Sequence, residues 1–299
     1  MAPAGREVLV SDRRPILVTG ATGNVGRPVV ESLLSRGAAV RAAVRDPREA
    51  APGVEPVSFD FLDRSTFAGA VRGARGLFLL RPPPIGDMKS TLIPLIDDAL
   101  AAGAERIVFL SVAGADRMRW VPHHAVEAHL AKVPAKATIL RPGFFAQNLG
   151  DAYRDDLRQR REIVVPAGRG KVAFVDVRDV GEVAARAFDD DRTTGEAFTL
   201  TGPEAIDFDA VARIVSGEIG AEIRYRPVGI FGYARHLRRH AHLRWAQIAI
   251  QTILHVGIRR GDAETVDPTL ERLLGRRPRT LADYVRDHRA LFDPIRQGT

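Results

Sequence analysis

Apolar positions fall into two rhythms along the first half of this chain. Short unbroken apolar runs end at glycine, proline or charge, and segments with helical spacing lie between them. Pro15-Ile16-Leu17-Val18 leads into a glycine-spaced turn, after which Val29, Val30, Leu33 and Leu34 recur at helical spacing until Gly37 closes the helix. Runs over residues 39–44, 57–60, 76–80, 106–111 and 137–141 repeat the strand pattern, with helical segments at 92–102 and 124–131. Strands alternating with helices at this spacing predict an α/β protein built on a doubly wound parallel sheet. The fourth strand must stop at Arg81, because Pro82, Pro83 and Pro84 have no N–H to give to a ladder.

Beyond Pro142 the rhythm loosens. Residues 172–177 and 197–201 read as strands and 179–188 as a helix capped by Asp179, with Asp176 a partner for Arg178. Asp207 caps a helix through Ile219, 222–225 is a short strand, 230–258 is mainly helical, and a last helix starts within 279–284. This predicts a loose extension over 1–14 and a nucleotide-binding domain over 15–150 to which 172–201 returns. A smaller C-terminal α/β subdomain takes 151–171 and 202–299.

The turn Thr19-Gly20-Ala21-Thr22-Gly23-Asn24-Val25-Gly26 carries the first chemistry. Gly20 lets the chain turn off the strand, Gly23 lets a pyrophosphate approach the backbone, and Gly26 lets helix and strand pack closely. The helix then offers its first N–H groups and its positive dipole end to phosphate. A strand before and a helix after this turn are the context that makes it a dinucleotide site, with Thr22, Asn24 and Val25 as further contacts. Arg45 ends the second strand, nineteen positions after Gly26, where NAD-preferring sites place an acid. It is set to pair with a 2′-phosphate, which favours NADP(H) over NAD(H); the bland alternative is an exposed strand-end charge beside Asp46. Asp60 at the next strand end is placed for the adenine amino group with Phe61 beside the ring, while Asp63 caps the following helix. Leu80, Arg81, Pro82, Ser111 and Pro142, at later strand ends, complete the expected cofactor contacts.

Composition narrows the classes. The chain has 299 residues, 45% hydrophobic and 27% charged, which is ordinary for a globular protein. It has no cysteine, so disulfides, thiolate catalysis and zinc–cysteine sites are excluded. The first residues lack a signal-peptide core and no apolar run is long enough to span a bilayer, so the expected location is cytoplasmic. The net charge of +7 comes almost wholly from arginine, in scattered doublets without interleaved aromatics, which reads as solvated helix faces rather than a nucleic-acid surface. His236 and His240 have metal-ligand spacing, but no glutamate follows His236 and no third ligand is apparent; a solvated basic face, and no metal, is the reading.

Several motifs together resemble the NmrA-like atypical short-chain dehydrogenases. They are the glycine turn, Val40-Arg-Ala-Ala-Val-Arg45, Ile107-Val-Phe-Leu-Ser111, Thr138-Ile-Leu-Arg-Pro-Gly-Phe-Phe145 with Asn148, Phe174-Val-Asp-Val-Arg-Asp179, Leu200-Thr-Gly-Pro203 and Gly275-Arg-Arg-Pro-Arg-Thr280. Phe59-Asp-Phe-Leu-Asp-Arg-Ser-Thr-Phe67 and Leu79-Leu-Arg-Pro-Pro83 are similar to a subgroup related to ergot-alkaloid dehydrogenases. The resemblance implies a Rossmann domain for NAD(P)H and a smaller C-terminal part covering the substrate. Members of that family include quinone and azo reductases, iminium reductases and non-catalytic redox sensors.

The chain departs from the dehydrogenase pattern where chemistry belongs. Tyr153, Tyr225, Tyr233 and Tyr284 are each followed four places on by a residue other than lysine, so the Tyr-x-x-x-Lys dyad that donates a proton is missing. Val112 stands where the helper serine is usual, leaving Ser111 one position earlier. The helix that should hold the tyrosine carries His123 and Glu127, one turn apart. His123 is thereby a candidate proton donor with its tautomer set and its pKa raised by Glu127; the alternative is a packing or capping histidine. Phe144, Phe145 and Asn148 follow the sixth strand and are read as substrate-pocket residues. The function expected is an NADPH-dependent reductase passing hydride to a small conjugated or aromatic acceptor, a quinone, imine or enone. The alternative is a non-catalytic NADP(H)-binding sensor acting through a protein partner. The partners expected are a small-molecule substrate and, as an open reading, a second copy in a homodimer, with neither nucleic acid nor membrane.

Overall fold

The computed structural model describes residues 13–241 and 243–293, so the extension expected over 1–14 lies almost wholly outside the described residues. The chain divides into two compact units.

The first unit runs to Ser111 and adds Ala115–Ile139 and Ala184–Glu196. Its strands are β1 (Ile16–Thr19), β2 (Val40–Val44), β3 (Glu55–Ser58), β4 (Gly76–Leu80), β5 (Arg106–Leu110) and the start of β6 (Lys136–Pro142). Its helices are α1 (Gly26–Ser35), α2 (Phe67–Val71), α3 (Leu92–Ala101) and α4 (Pro122–Leu130). β1 pairs with β2 and β4, β2 with β3, and β4 with β5, all parallel. The central strands are apolar without alternation because both faces are covered. Leu17, Leu77, Leu79, Ile107 and Phe109 join Leu95 and Ile96 of α3 in one buried cluster, and α1 buries Val29, Val30 and Leu33. β3 begins two residues earlier than expected, since its register follows β2 from Arg41↔Glu55 to Val44↔Ser58 and an Arg41–Glu55 ion pair closes that end. The returning segment is held by Arg106, whose Nη1 donates to the carbonyls of Ala187 and Asp190 and to Thr194 Oγ1, each at 3.3 Å.

The second unit comprises Val112–Gly114, Leu140–Val183 and Ala197–Thr299. It carries β7 (Glu162–Val165), β8 (Lys171–Val172), β9 (Ala197–Leu200), β10 (Ile206–Asp207) and β11 (Arg224–Pro227). Its helices are α5 (Val177–Arg186, which runs on into the first unit), α6 (Phe208–Ile219), α7 (Ile230–His236), α8 (Trp245–Arg259), α9 (Thr269–Leu274) and α10 (Leu281–Asp287). Seven strands form one sheet in the order β3-β2-β1-β4-β5-β6-β9. The expected strand over 172–177 shrinks to β8, because Ala173 N–H goes to Ala263 O while Val175 makes one isolated bridge to Phe145, so successive residues turn to different partners rather than continuing a ladder. The helical stretch 230–258 is broken by a π-turn at Leu237–Ala241.

Local side-chain to backbone bonds set several helix starts. Asp207 accepts from Ala210 N–H at 2.8 Å, and Thr280 and Asp283 cap α10 reciprocally. Asp179 is not the cap expected of it. Helix α5 starts two residues earlier, Asp176 takes the N–H of Arg178 at 2.8 Å, and Asp179 lies fully buried inside the first turn. There it accepts from Arg276 Nη2 at 2.8 Å, from the Arg279 N–H at 2.6 Å and from Arg279 Nη1. The Gly275–Thr280 motif is therefore a clamp onto α5. Asp176 does bind Arg178, through the full guanidinium fork. Burial by itself would raise the Asp176 carboxyl, but the Arg178 fork, the Arg178 N–H and Gln147 outweigh it and hold the pKa below the usual range.

Candidate nucleotide-binding and reduction site

At Gly20 and Gly26 the turn after β1 has room for backbone only. A Cβ on Gly26 would stand 2.0 Å from Gly20 O, and Gly20 adopts φ +62° with the Leu80 methyls 3.0 Å from where its own Cβ would sit. Thr22, Gly23 and Asn24 are exposed at the tip, and Val25 at the N-cap of α1 gives no side-chain hydrogen bond to the helix start. A loop that presents main chain at an uncapped helix N-terminus fits a pyrophosphate. Thr19 Oγ1 ties the base of the turn to β4, donating to Phe78 O at 3.1 Å and accepting from Leu80 N–H at 3.0 Å.

The end of β2 separates two neighbouring charges. Asp46 is occupied: it takes Arg48 N–H and Nε at 3.0 Å and Nη2 at 2.7 Å, capping a short turn. Arg45 is exposed and has no hydrogen-bond or ion-pair partner among the described residues. Asp60 Oδ1 accepts from Leu62 N–H at 2.9 Å, which leaves Oδ2 for a ligand. Phe61 is corrected: its ring is buried edge-on against Phe59, 4.8 Å between centroids, so it belongs to the core rather than beside an adenine. The exposed apolar side chain at that turn is Leu62.

Gly20, Arg81 and Ser111 follow the carboxyl ends of β1, β4 and β5, three adjacent strands. Open α/β sheets bind ligands at that edge, where the strand order reverses, here between β1 and β4. The Arg81 guanidinium does not reach out to a cofactor. Nη1 donates to the carbonyls of Pro82 (3.3 Å), Pro83 (3.0 Å) and Ile85 (2.6 Å), so it braces the proline loop, and Nε–H points at His123 Nε2 at 3.4 Å. The backbone of Leu80, Arg81 and Pro82 remains as the contact that segment can offer.

Helix α4 buries His123, Val126, Glu127 and Leu130 on one face. Glu127 does not hold His123. Its Oε1 accepts from Ser111 Oγ, and both residues are buried. His123 is instead driven down to a pKa of about 4, first by burial and then by the Arg81 charge, against which the Glu127 charge works in vain. The imidazole is neutral at pH 7. With Nε2 accepting from Arg81, the proton sits on Nδ1, which is buried and without a hydrogen-bond partner among the described residues.

In the second unit, Pro142 is buried and its carbonyl accepts from Ala113 N–H at 3.0 Å. Phe144 is half-buried, edge-on to Phe174 at 5.7 Å and to His255 at 6.1 Å. Phe145 bridges to Val175, and Asn148 ends a short helical turn. A buried network that the sequence did not announce lies alongside. His255 Nδ1–H donates to Gln251 O at 2.7 Å, which leaves Nε2 to accept from the Tyr153 hydroxyl, and burial lowers the His255 pKa to about 4. His236 and His240 are not a solvated face either: His236 is buried against Asp156 at 2.7 Å, and His240 Nδ1 accepts from Arg160 at 2.7 Å. Among the described residues no helix is long and apolar enough to cross a membrane.

A family model described as NmrA-like matches residues 12–244. The chain belongs to the NmrA-like family. This NmrA-like protein is 28% identical over 281 residues to the uncharacterized oxidoreductase YesF of Bacillus subtilis, covering 94% of this chain and 97% of that one. It is 28% identical over 287 residues to an NAD(P)H azoreductase of Xenophilus azovorans, covering 93% and 99%. Among solved structures it is similar to the NADPH-dependent quinone oxidoreductase of Escherichia coli complexed with NADPH. The TM-score there is 0.80 at 26% identity, over 90% of this chain and 98% of that chain. These relatives are oxidoreductases.

Proposed function

We propose that this protein is an NADPH-dependent reductase of a small conjugated acceptor such as a quinone, imine or enone. The observation that carries the reading is one sheet edge holding both halves of the task. The glycine turn follows β1, and a polar set of half-buried Arg81 with buried Ser111, His123 and Glu127 stands at the ends of β4 and β5 and on α4. The backbone of Gly20, Thr22, Gly23, Asn24, Val25 and Gly26 holds the pyrophosphate, Arg45 the 2′-phosphate, and Asp60 Oδ2 the adenine amino group. Bound NADPH supplies the hydride. The chain's own side chains then orient the acceptor and stabilise charge. Glu127 holds the Ser111 hydroxyl in place. Neutral His123 offers Nδ1–H as a hydrogen-bond donor to an acceptor oxygen or nitrogen, a partner its buried nitrogen otherwise lacks. An imidazole with a pKa of about 4 carries no spare proton at pH 7, so the proton that completes reduction comes from solvent.

The test is direct. The purified protein, given NADPH, should oxidise it with at least one member of a panel of quinones, cyclic imines and enones. Tight NADPH binding with no turnover on any of them would overturn the reading.

A further inference from the structure

The second unit holds a cavity of about 280 Å³ lined by Arg226, Val228, Arg235, His236, Arg239 and His240. Arg226 comes from β11, Arg235 and His236 from α7, and Arg239 and His240 from the π-turn that continues it. Arg235 and Arg239, one turn apart, have no hydrogen-bond or ion-pair partner among the described residues. Arg226 is held by Glu162, Nε to Oε2 at 2.9 Å.

Behind the wall, Asp156 takes Arg160 Nη1 at 2.9 Å and pairs with His236 Nε2 at 2.7 Å. Arg160 Nη2 donates to His240 Nδ1, so His240 carries its own proton on Nε2 as a donor. Four guanidiniums, of Arg160, Arg226, Arg235 and Arg239, thus face two carboxylates, of Asp156 and Glu162, and two positive charges are left over. A bare surface would let such charges spread apart. Here the unpaired arginines converge on a concavity.

We propose that this cavity binds the phosphate group of a small phosphorylated ligand, using no residue of the glycine turn and not Arg45. Two free guanidinium forks and an imidazole N–H offer more donors than the two oxygens of a carboxylate can accept, and a dianion balances the two excess charges. The volume lies near the lower end of small-molecule sites, about 300 Å³, which leaves room beside the phosphate for an organic group against Val228.

Calorimetric titration of the full chain with phenyl phosphate, in excess NADPH so that the nucleotide turn is filled, should show one further equivalent bound. Benzoate should bind at least tenfold more weakly. The double variant Arg235→Gln/Arg239→Gln should lose at least tenfold in phenyl phosphate affinity while keeping its melting temperature, because both side chains are exposed. A second arm separates sources of the phosphate. Flotation with phosphatidylcholine vesicles carrying phosphatidic acid, against phosphatidylcholine alone, reports a lipid headgroup, whereas binding confined to phenyl phosphate reports a soluble ligand. No binding in either arm, equal binding of benzoate, or an unaffected double variant would each overturn the proposal.

Discussion

Arg81 Nε–H stands 3.4 Å from His123 Nε2, between a proline loop and a helix face 42 residues apart in the chain. The contact puts a fixed cation against the lone pair that a proton would need, and with burial it keeps the imidazole neutral.

The first prediction follows from that neutrality. A general acid is worth about 10²–10⁴ in rate, but a neutral hydrogen-bond donor is worth about 1 kcal/mol, roughly fivefold. His123→Ala should therefore lower kcat/KM by about fivefold, with NADPH affinity unchanged, and steady-state kinetics would show it. The kcat profile between about pH 6 and 8 should carry no step from His123. A loss of a hundredfold or more would return the residue to acid catalysis.

Arg45 carries the second. Among the described residues its guanidinium has no partner, while Asp46 is taken by Arg48. Arg45→Ala should weaken NADPH by roughly 1.5–3 kcal/mol and leave NADH nearly untouched. Fluorescence titration of both cofactors checks it; equal losses would make Arg45 an ordinary strand-end charge.

The third concerns Asp179, whose carboxylate is fully buried under Arg276 and Arg279. Asp179→Ala removes the shared acceptor of both guanidiniums and of the Arg279 N–H. The two arginines are each about a third exposed, so water recovers part of the loss, and the expected cost is about 2–4 kcal/mol in urea unfolding. A change within about 0.5 kcal/mol, the range of ordinary surface substitutions, would show that the Gly275–Thr280 loop docks by other means.

Acid should destabilise the protein through two histidines. His123 and His255 both have folded pKa values of about 4, below the unfolded value of 6.5, so the unfolded state binds more protons in that window. The stability they contribute is fully present above pH 6.5 and is lost as the pH falls towards 4, roughly 3 kcal/mol for each. Urea midpoints should fall across that interval, and His123→Gln, which does not titrate, should remove about half of the fall due to this pair. A midpoint independent of pH over the interval would contradict the burial of both rings.

Much of the fold was legible along the chain because its signals are local. Apolar runs without alternation marked strands covered on both faces, and Gly20 and Gly26 marked a turn where only backbone fits. Asp207 caps through a neighbour three residues away. The placement of Arg45 at the end of β2 came from the same kind of counting.

Tertiary structure alone decided the rest. Ser111 meets Glu127 across a strand end and a helix, Arg81 meets His123 across 42 residues, and Asp179 meets Arg276 across 97. Spacing along one helix suggested that Glu127 governs His123, since residues one turn apart share a face. In the folded chain a serine just beyond β5 captures the carboxylate and an arginine just beyond β4 captures the imidazole. The protonation state of a buried group is set by its desolvation and by charges delivered from other elements. Neither quantity exists until the sheet and helix α4 have closed around it.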